Sequence, residues 1–337
     1  MKTYLKKLTA LLLTLLLALS LAACGGDKNK DNGGTDADAP ANKISNNLVF
    51  STGGDGGTYF AVGGVIAQHV STNTDVKVTS VASGGSKANI LLLDSGDAQL
   101  GFSQSDVMAY AYNGTSTFAD DGAITSFSTV ANLYLEAVQI VTCDASIKTV
   151  ADLKGKNVSI GDAGSGVYFN AIDILGAYGL TEQDIKPQYK GFSDSADALK
   201  DGKIDAAFVV AGAPTVAITD LSTGKDVHLV SIDKEHADAL IAKCPYYMTI
   251  TIPADTYKGL DGDVQTVAVG AVVLAADNVS DDAIYAFVSD IFEHTDELSH
   301  AKAKEMSLET AANITSVPYH PGAARYYAEK GITVPTK

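Results

Sequence analysis

The stretch STGGDGGTYFAVGGVIAQHV, Ser51 to Val70, places six glycines within its first fourteen residues and then continues as an apolar, helix-like run. A strand-like segment, LVF, precedes it, so the glycines occupy a junction between a strand and a helix. The spacing fits neither a P-loop nor the G-x-G-x-x-G pattern of dinucleotide-binding proteins. Such a loop exposes backbone N–H groups at the positive end of a helix dipole, which predicts a site for an anionic group.

The N-terminus has the composition of an export signal. Three lysines precede an apolar run over 8–19, which is too short for a comfortable membrane span. The sequence LAAC at 21–24 resembles a lipobox, so we expect residues 1–23 to be a lipoprotein signal peptide and Cys24 to be lipidated; the alternative is an ordinary signal with an incidental cysteine. Residues 24–46 are polar and aperiodic, which predicts a flexible tether. The expected location is extracytoplasmic, lipid-anchored to the cell membrane.

The charge balance restricts the class of partner. The chain has 24 basic and 40 acidic residues, and loss of the three leader lysines leaves 21 basic residues and a net charge of −19. This argues against nucleic acid as a partner, because nucleic-acid binding requires a basic surface. Arg325 is the only arginine. A bound anion is therefore expected to contact backbone amides, hydroxyls or lysine rather than several arginines.

Beyond Cys24 there are two cysteines, Cys143 and Cys244. In an exported protein they could form a disulfide, and closing a loop of about 100 residues would contribute roughly 4–5 kcal/mol in the chain-entropy model. The alternative is a pair of separate buried thiols.

Two parts of the chain follow the same plan. The matching segments are LDSG at 93–96 and LKDG at 199–202, whose leucines each lie nine residues before a phenylalanine, and GTYF at 57–60 and GVYF at 166–169. The offsets, about 106 and 109 residues, are too long for a solenoid repeat and fit two lobes of similar build.

Strands and helices alternate along the chain, which predicts an α/β fold with mainly parallel sheets. The segments LEAVQIVTC, 135–143, and TVAVGAVVLA, 266–275, are apolar and rich in β-branched residues. We interpret them as paired strands that cross between the lobes and form a hinge. Lobe 1 would then comprise 47–138 and 270–337, and lobe 2 would comprise 139–269. Ligands of open α/β sheets bind beyond the carboxyl ends of the strands, which predicts a cleft between the lobes.

The candidate ligand-binding residues lie at the strand-to-helix junctions that face this cleft. They are Gly53, Gly54, Gly57, Thr58, Tyr59, Ser83, Ser86, Asn89 and Gln104 in lobe 1, and Ser165, Gly166, Gly212, Thr215 and Tyr246 in lobe 2. Structural roles are the alternatives: tight turns for the glycines, helix caps for the serines and core packing for Tyr59. No H-E-x-x-H motif and no nucleophile elbow is present, so we expect no metal, no cofactor and no catalysis.

Several segments together resemble the TAXI-type solute receptors of TRAP transporters. They are STGGDGGTYFAVGG, ASGGSKANILLLDSGDAQLGFSQSD, DLKGKNVSIGDAGSG, ALKDGKIDAAFVVAGAPT and YHPGAARYYAEKGI, in consistent order along the chain. The resemblance implies a two-lobed, periplasmic-binding-protein-like (type II) fold that closes on its ligand. It also implies a small carboxylate ligand, an organic anion or a glutamate-like amino acid, and delivery to integral-membrane TRAP permease subunits.

Two positions depart from that family. Asp55 stands where relatives often have Thr, and Ala213 stands where a His is common. The additional carboxylate of Asp55 would favour a ligand with an ammonium group, or it is simply an exposed charge at a helix N-terminus. A different class of transport partner is the main alternative: a binding protein of an ATP-driven importer, or a sensor, with phosphate or another oxyanion at the same amides.

Overall fold

Strands and helices alternate in the computed structural model, which describes residues 43, 44 and 46–337. The first segment contains β1 (Asn47–Ser51), α1 (Thr58–Asn73), β2 (Lys77–Val81), α2 (Ser86–Ser95), β3 (Leu100–Gln104) and α3 (Ser105–Asn113). The middle contains β4 (Phe127–Thr142), β5 (Asn157–Ser159), α4 (Gly166–Ala177), β6 (Lys186–Gln188), α5 (Phe192–Lys200), β7 (Ala206–Ala211), α6 (Val216–Gly224), β8 (His228–Val230), α7 (Lys234–Lys243) and β9 (Met248–Ile252). The last segment contains β10 (Val264–Ala276), α8 (Asp281–Glu293), α9 (Leu308–Ala311) and α10 (Pro321–Glu329).

One sheet contains these ten strands in the order β2-β1-β3-β10-β4-β7-β5-β6, with β8 paired to β4 and β9 paired to β10. The strands β1, β2 and β3 are parallel to one another, and so are β5, β6 and β7. Between the two parallel groups lie β4 and β10, which are antiparallel to each other and to their outer neighbours. We call the part around β1–β3 the first lobe and the part around β5–β7 the second lobe. The predicted α/β class is confirmed.

The two crossing strands confirm the predicted hinge pairing, but both are longer than predicted. Residues 127–142 form β4 and residues 264–276 form β10, and they pair from Ala268 with Ala137 to Ala276 with Phe127. The prediction began too late in β4 because Ser128, Thr129 and Asn132 interrupt the apolar pattern, although all three are buried. The predicted lobe boundaries, 138/139 and 269/270, fall within these strands.

The sheet of the second lobe is buried on both faces. Successive side chains of a strand point to opposite faces of its sheet, so each strand contributes to both. In β7, Ala206, Phe208 and Val210 belong to one hydrophobic cluster, and the residues between them belong to another. Helices therefore cover both faces of this strand. The first lobe has a core centred on stacked aromatic rings, with the ring centroids of Phe50 and Phe102 separated by 4.9 Å.

The predicted signal peptide and lipidated Cys24 lie outside the described residues, as does most of the predicted tether. At its end, Ile44 forms a β-bridge with Val279, and Lys43 pairs with Asp281 at 2.8 Å. Within 43, 44 and 46–337, no helix combines the length and apolarity needed to span a bilayer. Both Cys143 and Cys244 are free and partly buried, so the structure contains two thiols rather than the disulfide.

Candidate functional site

A cavity of about 80 Å3, partly open to solvent, lies between the lobes where several helices begin. Its walls come from both lobes. The first lobe contributes Gly53, Gly54, Gly57, Thr58, Tyr59, Ser83, Gly84, Gly85, Ser86, Gln104 and Glu136, and the second contributes Asp162, Ser165, Gly166, Val167, Gly191, Phe192, Val210 and Ala211. Because most of these residues are small, backbone groups form much of the wall.

Four helix N-termini meet at this cavity. The residues that precede the first turns of α1, α2, α4 and α5 are Gly57, Gly85, Ser165 and Gly191, and all four line the cavity. None of these helices has a side chain that caps its N-terminus. The first N–H groups of a helix have no partner within the helix, and the helix dipole makes this end positive. The arrangement is therefore suited to an anion.

Four helices that begin away from the cavity are capped in the usual way, whereas α6, which follows Thr215, has no side-chain cap. The side chains of Asp233, Ser280, Ser307 and His320 accept hydrogen bonds from N–H groups at the starts of α7, α8, α9 and α10. A cap of this kind typically stabilises a helix by about 1 kcal/mol. The four helices that share one cavity lack such a cap, so their first N–H groups are available to partners outside the helix; one of them, that of Ala88 in α2, already donates to the Gly164 carbonyl.

Two side-chain oxygens at the cavity also lack partners. Gln104 Oε1 and Ser165 Oγ are buried and have no hydrogen-bond partner among the described residues. Burying such an atom without a partner costs about 1–3 kcal/mol. The Gln104 oxygen accepts only, whereas the Ser165 hydroxyl both donates and accepts. A ligand with an anionic group and a hydrogen-bond donor would satisfy both atoms.

Glu136 places a carboxyl group on the cavity wall from the middle of β4. The Tyr59 hydroxyl donates to its Oε2 at 2.5 Å, and the carboxyl is buried. Burial raises the pKa of Glu136, and the charge of Asp106 adds to this; the Tyr59 hydrogen bond and the charge of Lys302 oppose it less strongly. The neutral acid is therefore favoured, and it does not repel an anion in the cavity.

The structure brings together ten of the fourteen predicted ligand-binding residues at this cavity: Gly53, Gly54, Gly57, Thr58, Tyr59, Ser83, Ser86, Gln104, Ser165 and Gly166. The other four, Asn89, Gly212, Thr215 and Tyr246, are not among its lining residues. Each of these four residues makes hydrogen bonds or packing contacts elsewhere in the structure.

Asn89 holds two strands together. Its side-chain NH2 group donates to the carbonyl of Thr52 at 2.7 Å and to that of Phe102 at 2.8 Å. The side chain is fully buried. It thereby fixes the carboxyl ends of β1 and β3, from which the cavity loops extend.

Thr215 makes its contacts within the second lobe, whereas Tyr246 packs against a residue of the first lobe. The Thr215 hydroxyl accepts from Gln139 at 2.9 Å and donates to the Gly212 carbonyl at 3.1 Å. The ring of Tyr246 packs edge-on against Tyr110, with centroids 5.8 Å apart.

Some glycines are required by the contact between the lobes. A Cβ at Gly212 would lie 2.5 Å from Lys302 Cε, and one at Gly56 would lie 2.5 Å from Ser193 Oγ. These distances are shorter than real Cβ contacts, so the Lys302 or Ser193 side chain would have to move to admit a side chain at either position. Packing against Lys302 is thus one reason for the glycine at 212, and the ligand contact predicted for it stays a prediction.

Nine of the lining residues were not predicted from the sequence, among them Gly191, Phe192 and Glu136. Gly191 starts α5 through a strand–glycine–helix junction like the others, and the single glycine in KGFSD was its only signal. Phe192 follows it and faces Gly57. Glu136 could have been found as the one charged residue within the apolar strand LEAVQIV. Among the residues that the structure describes, no group of three or more His, Cys, Asp or Glu side chains is arranged to bind a metal.

Solved structures resemble this fold at low sequence identity. A periplasmic transporter superposes with a TM-score of 0.52 at 15% identity, over 85% of this chain and 94% of the other. A protein from Bordetella bronchiseptica RB50 superposes with a TM-score of 0.51 at 16% identity, over 85% of this chain and 80% of the other. The alkanesulfonate-binding protein SsuA from Xanthomonas axonopodis pv. citri, bound to MOPS, gives 0.47 at 16%, over 86% and 85%.

The fold is that of a type II periplasmic binding protein, with two lobes joined by crossing strands and a cavity at their junction. The model of the NMT1-like family matches residues 50–331, and the chain belongs to this family. The identification with TAXI-type receptors of TRAP transporters is wrong, because the family that matches is the NMT1-like family. The glycine loops that supported that resemblance belong to the binding-protein fold and do not specify the transporter.

Proposed function

We propose that this protein is an extracytoplasmic solute-binding protein that captures a small organic anion between its lobes. The observation that carries the proposal is the convergence of four uncapped helix N-termini on one cavity, with Gly57, Gly85, Ser165 and Gly191 at their starts. Helix N-termini bind anions through backbone N–H groups and the helix dipole. The function is capture and release of a solute, not catalysis.

The side chains of the wall support the same ligand class. No lysine, arginine or histidine is among the lining residues, so the anion would be held mainly by backbone N–H groups and hydroxyls. The unpartnered Gln104 Oε1 requires a donor on the ligand, and Glu136 lies on the same wall. A small molecule with one anionic group and one hydroxyl or amine fits this set of atoms better than a bare phosphate.

We propose an ATP-driven importer as the membrane partner. Of the two transporter classes that the sequence left open, the TRAP class is overturned by the family match, and the ATP-driven class remains. The export signal predicted at residues 1–23 and the lipidation predicted at Cys24 place the protein on the outer side of the cell membrane, where it would meet such an importer.

Titration calorimetry of the full chain against organic carboxylates, sulfonates, phosphonates and inorganic phosphate tests the ligand class. We expect one anionic class to bind with 1:1 stoichiometry at micromolar Kd or tighter, about 8 kcal/mol. Binding of neutral or cationic solutes alone would refute the proposal. Co-purification of the tagged chain with membrane subunits tests the partner, and an ATP-binding subunit is the expected result.

A further inference from the structure

Two carboxyl groups lie where the lobes meet, outside the solute cavity: that of Asp106, which is buried, and that of Asp173, which is partly buried. Asp106, in the first turn of α3 in the first lobe, is fully buried. Its Oδ2 accepts a hydrogen bond of 2.9 Å from the side chain of Asn170 in the second lobe. The Asn170 amide also contacts the Tyr247 hydroxyl at 2.7 Å, and Tyr247 donates to Asp173 at 3.1 Å.

The two lobes are in direct contact in this arrangement. Thr58 Oγ1 donates to the Gly212 carbonyl at 3.0 Å, and the backbone N–H of Ala88 donates to the Gly164 carbonyl at 3.1 Å. The Asp106–Asn170 hydrogen bond is one more bond between the lobes. Separation of the lobes would remove Asn170 and Tyr247 from Asp106 and open that side of its carboxyl group to water.

The surroundings of Asp106 disfavour a negative charge. Its other polar neighbours are its own backbone N–H and that of Val107, which lower its pKa less than burial and the carboxylate of Asp173 raise it. The pKa of Asp106 is about 7. Its Oδ1 is buried without a partner among the described residues. The titratable side chains that interact with it from the surrounding elements can be neutral or negative but not positive. They are Tyr110, Glu136, Asp173, Cys244, Tyr246 and Tyr247.

We propose that Asp106 is a proton-dependent latch: closure of the lobes buries this carboxyl group against Asn170 and brings the carboxylate of Asp173 near it, so the closed form takes up a proton and is favoured at acidic pH. The inference rests on the proposed function, because it concerns the closure that traps the solute. It adds that solute retention depends on the pH at the outer face of the membrane.

The link between proton uptake by Asp106 and lobe closure has a definite size and direction. An exposed aspartate in the open form titrates near pH 4. Between about pH 4 and 7 the closed form holds one more proton than the open form, so the closed-to-open ratio falls about tenfold for each unit of pH increase. Above about pH 7 both forms are ionised and the ratio becomes constant.

Small-angle X-ray scattering of the full chain, without added solute, tests the latch across pH 5 to 8.5. We expect the radius of gyration of the wild type to increase with pH and then reach a plateau. Asp106→Asn keeps the shape of the side chain and cannot ionise, so this variant should remain compact throughout. Asp173→Asn removes the neighbouring charge and should open less at high pH. The exposed Asp120→Asn is the control and should follow the wild type.

Circular dichroism establishes that each variant is folded before scattering is interpreted. A radius of gyration that does not change with pH in the wild type overturns the latch. So does a pH response that is the same in Asp106→Asn and the wild type. Because no solute is added, this result is independent of the anion titration: a latch that fails while an anion binds refutes only the latch.

Discussion

Gly166 of the second lobe lies so close to Gln104 of the first lobe that a Cβ on Gly166 would stand 1.9 Å from Gln104 Oε1. Gln104 is buried, and Ser86 Oγ would stand only 2.8 Å from the same Cβ. The start of α4 therefore fits against the end of β3 only if residue 166 is glycine. This contact joins the lobes directly at the solute cavity.

Replacing Gly166 by alanine should hold the lobes apart. We expect Gly166→Ala to reduce anion affinity at least about tenfold, because closure would force the methyl group into Gln104 and Ser86. The free energy of unfolding should change little, since alanine is favourable in a helix. Titration calorimetry and thermal denaturation measure the two effects. Gly176→Ala in the same helix, where a Cβ meets no atom within 4 Å, is the matched control.

Replacing Gly54 by valine should fill the cavity without disturbing the fold. Gly54 lines the cavity, and a Cβ there has no neighbour within 4 Å. We therefore expect Gly54→Val to abolish measurable anion binding while the melting temperature stays within a few degrees of wild type. Gly262→Val, also at a position without neighbours and away from the cavity, should bind normally. Unchanged affinity in Gly54→Val would move the site elsewhere.

Removing the Ser165 hydroxyl should weaken binding moderately. This oxygen lines the cavity and has no partner within the described chain. A hydrogen bond to a charged group contributes about 1.5–3 kcal/mol, so Ser165→Ala should raise Kd by about 10- to 100-fold. Calorimetry measures the change. An identical Kd would show that the hydroxyl does not contact the ligand.

Replacing Asn89 by alanine should affect stability first. The variant leaves the carbonyls of Thr52 and Phe102 buried without their donor, which should lower the free energy of unfolding by about 1–3 kcal/mol. Urea denaturation followed by circular dichroism gives this value. A stability equal to wild type, combined with lost anion binding, would return Asn89 to the ligand contacts predicted from the sequence.

Asp106 should make stability depend on pH. Its pKa is raised by burial from 3.8 to about 7 in the folded protein, so its neutral form stabilises the fold below about pH 4. That contribution falls as pH rises and is absent above about 7. We expect the free energy of unfolding of the wild type, relative to Asp106→Asn, to decrease by about 1.4 kcal/mol per pH unit within this window. If the free energy of unfolding changed with pH in the same way in both proteins, the raised pKa of Asp106 would be contradicted.

Local sequence was sufficient to predict where the cavity lies. Glycines and small polar residues between a strand and a helix mark the starts of α1, α2 and α4, and all three starts line the cavity. The apolar pattern also predicted the crossing pair β4 and β10. These features depend on neighbouring residues, which a single sequence displays directly.

The roles that the sequence could not assign depend on distant contacts. Gly212 is glycine because Lys302, 90 positions later, packs against it. Ser86 and Asn89 belong to the same helix, yet only Ser86 lines the cavity, because the Asn89 amide binds the carbonyls of two strands. The transporter class could not be predicted from the sequence either, because the glycine junctions are features of the two-lobed fold and a fold does not specify the membrane partner.

Calorimetric titration of the full chain with small organic anions, in wild type and Gly54→Val, tests the central claim most directly. The claim is that uncapped helix N-termini at Gly57, Gly85, Ser165 and Gly191 hold an anionic solute between the lobes. The predicted result is 1:1 binding of one anion class by the wild type and loss of that binding in Gly54→Val. Equal binding by both proteins, or binding of uncharged solutes only, would contradict it.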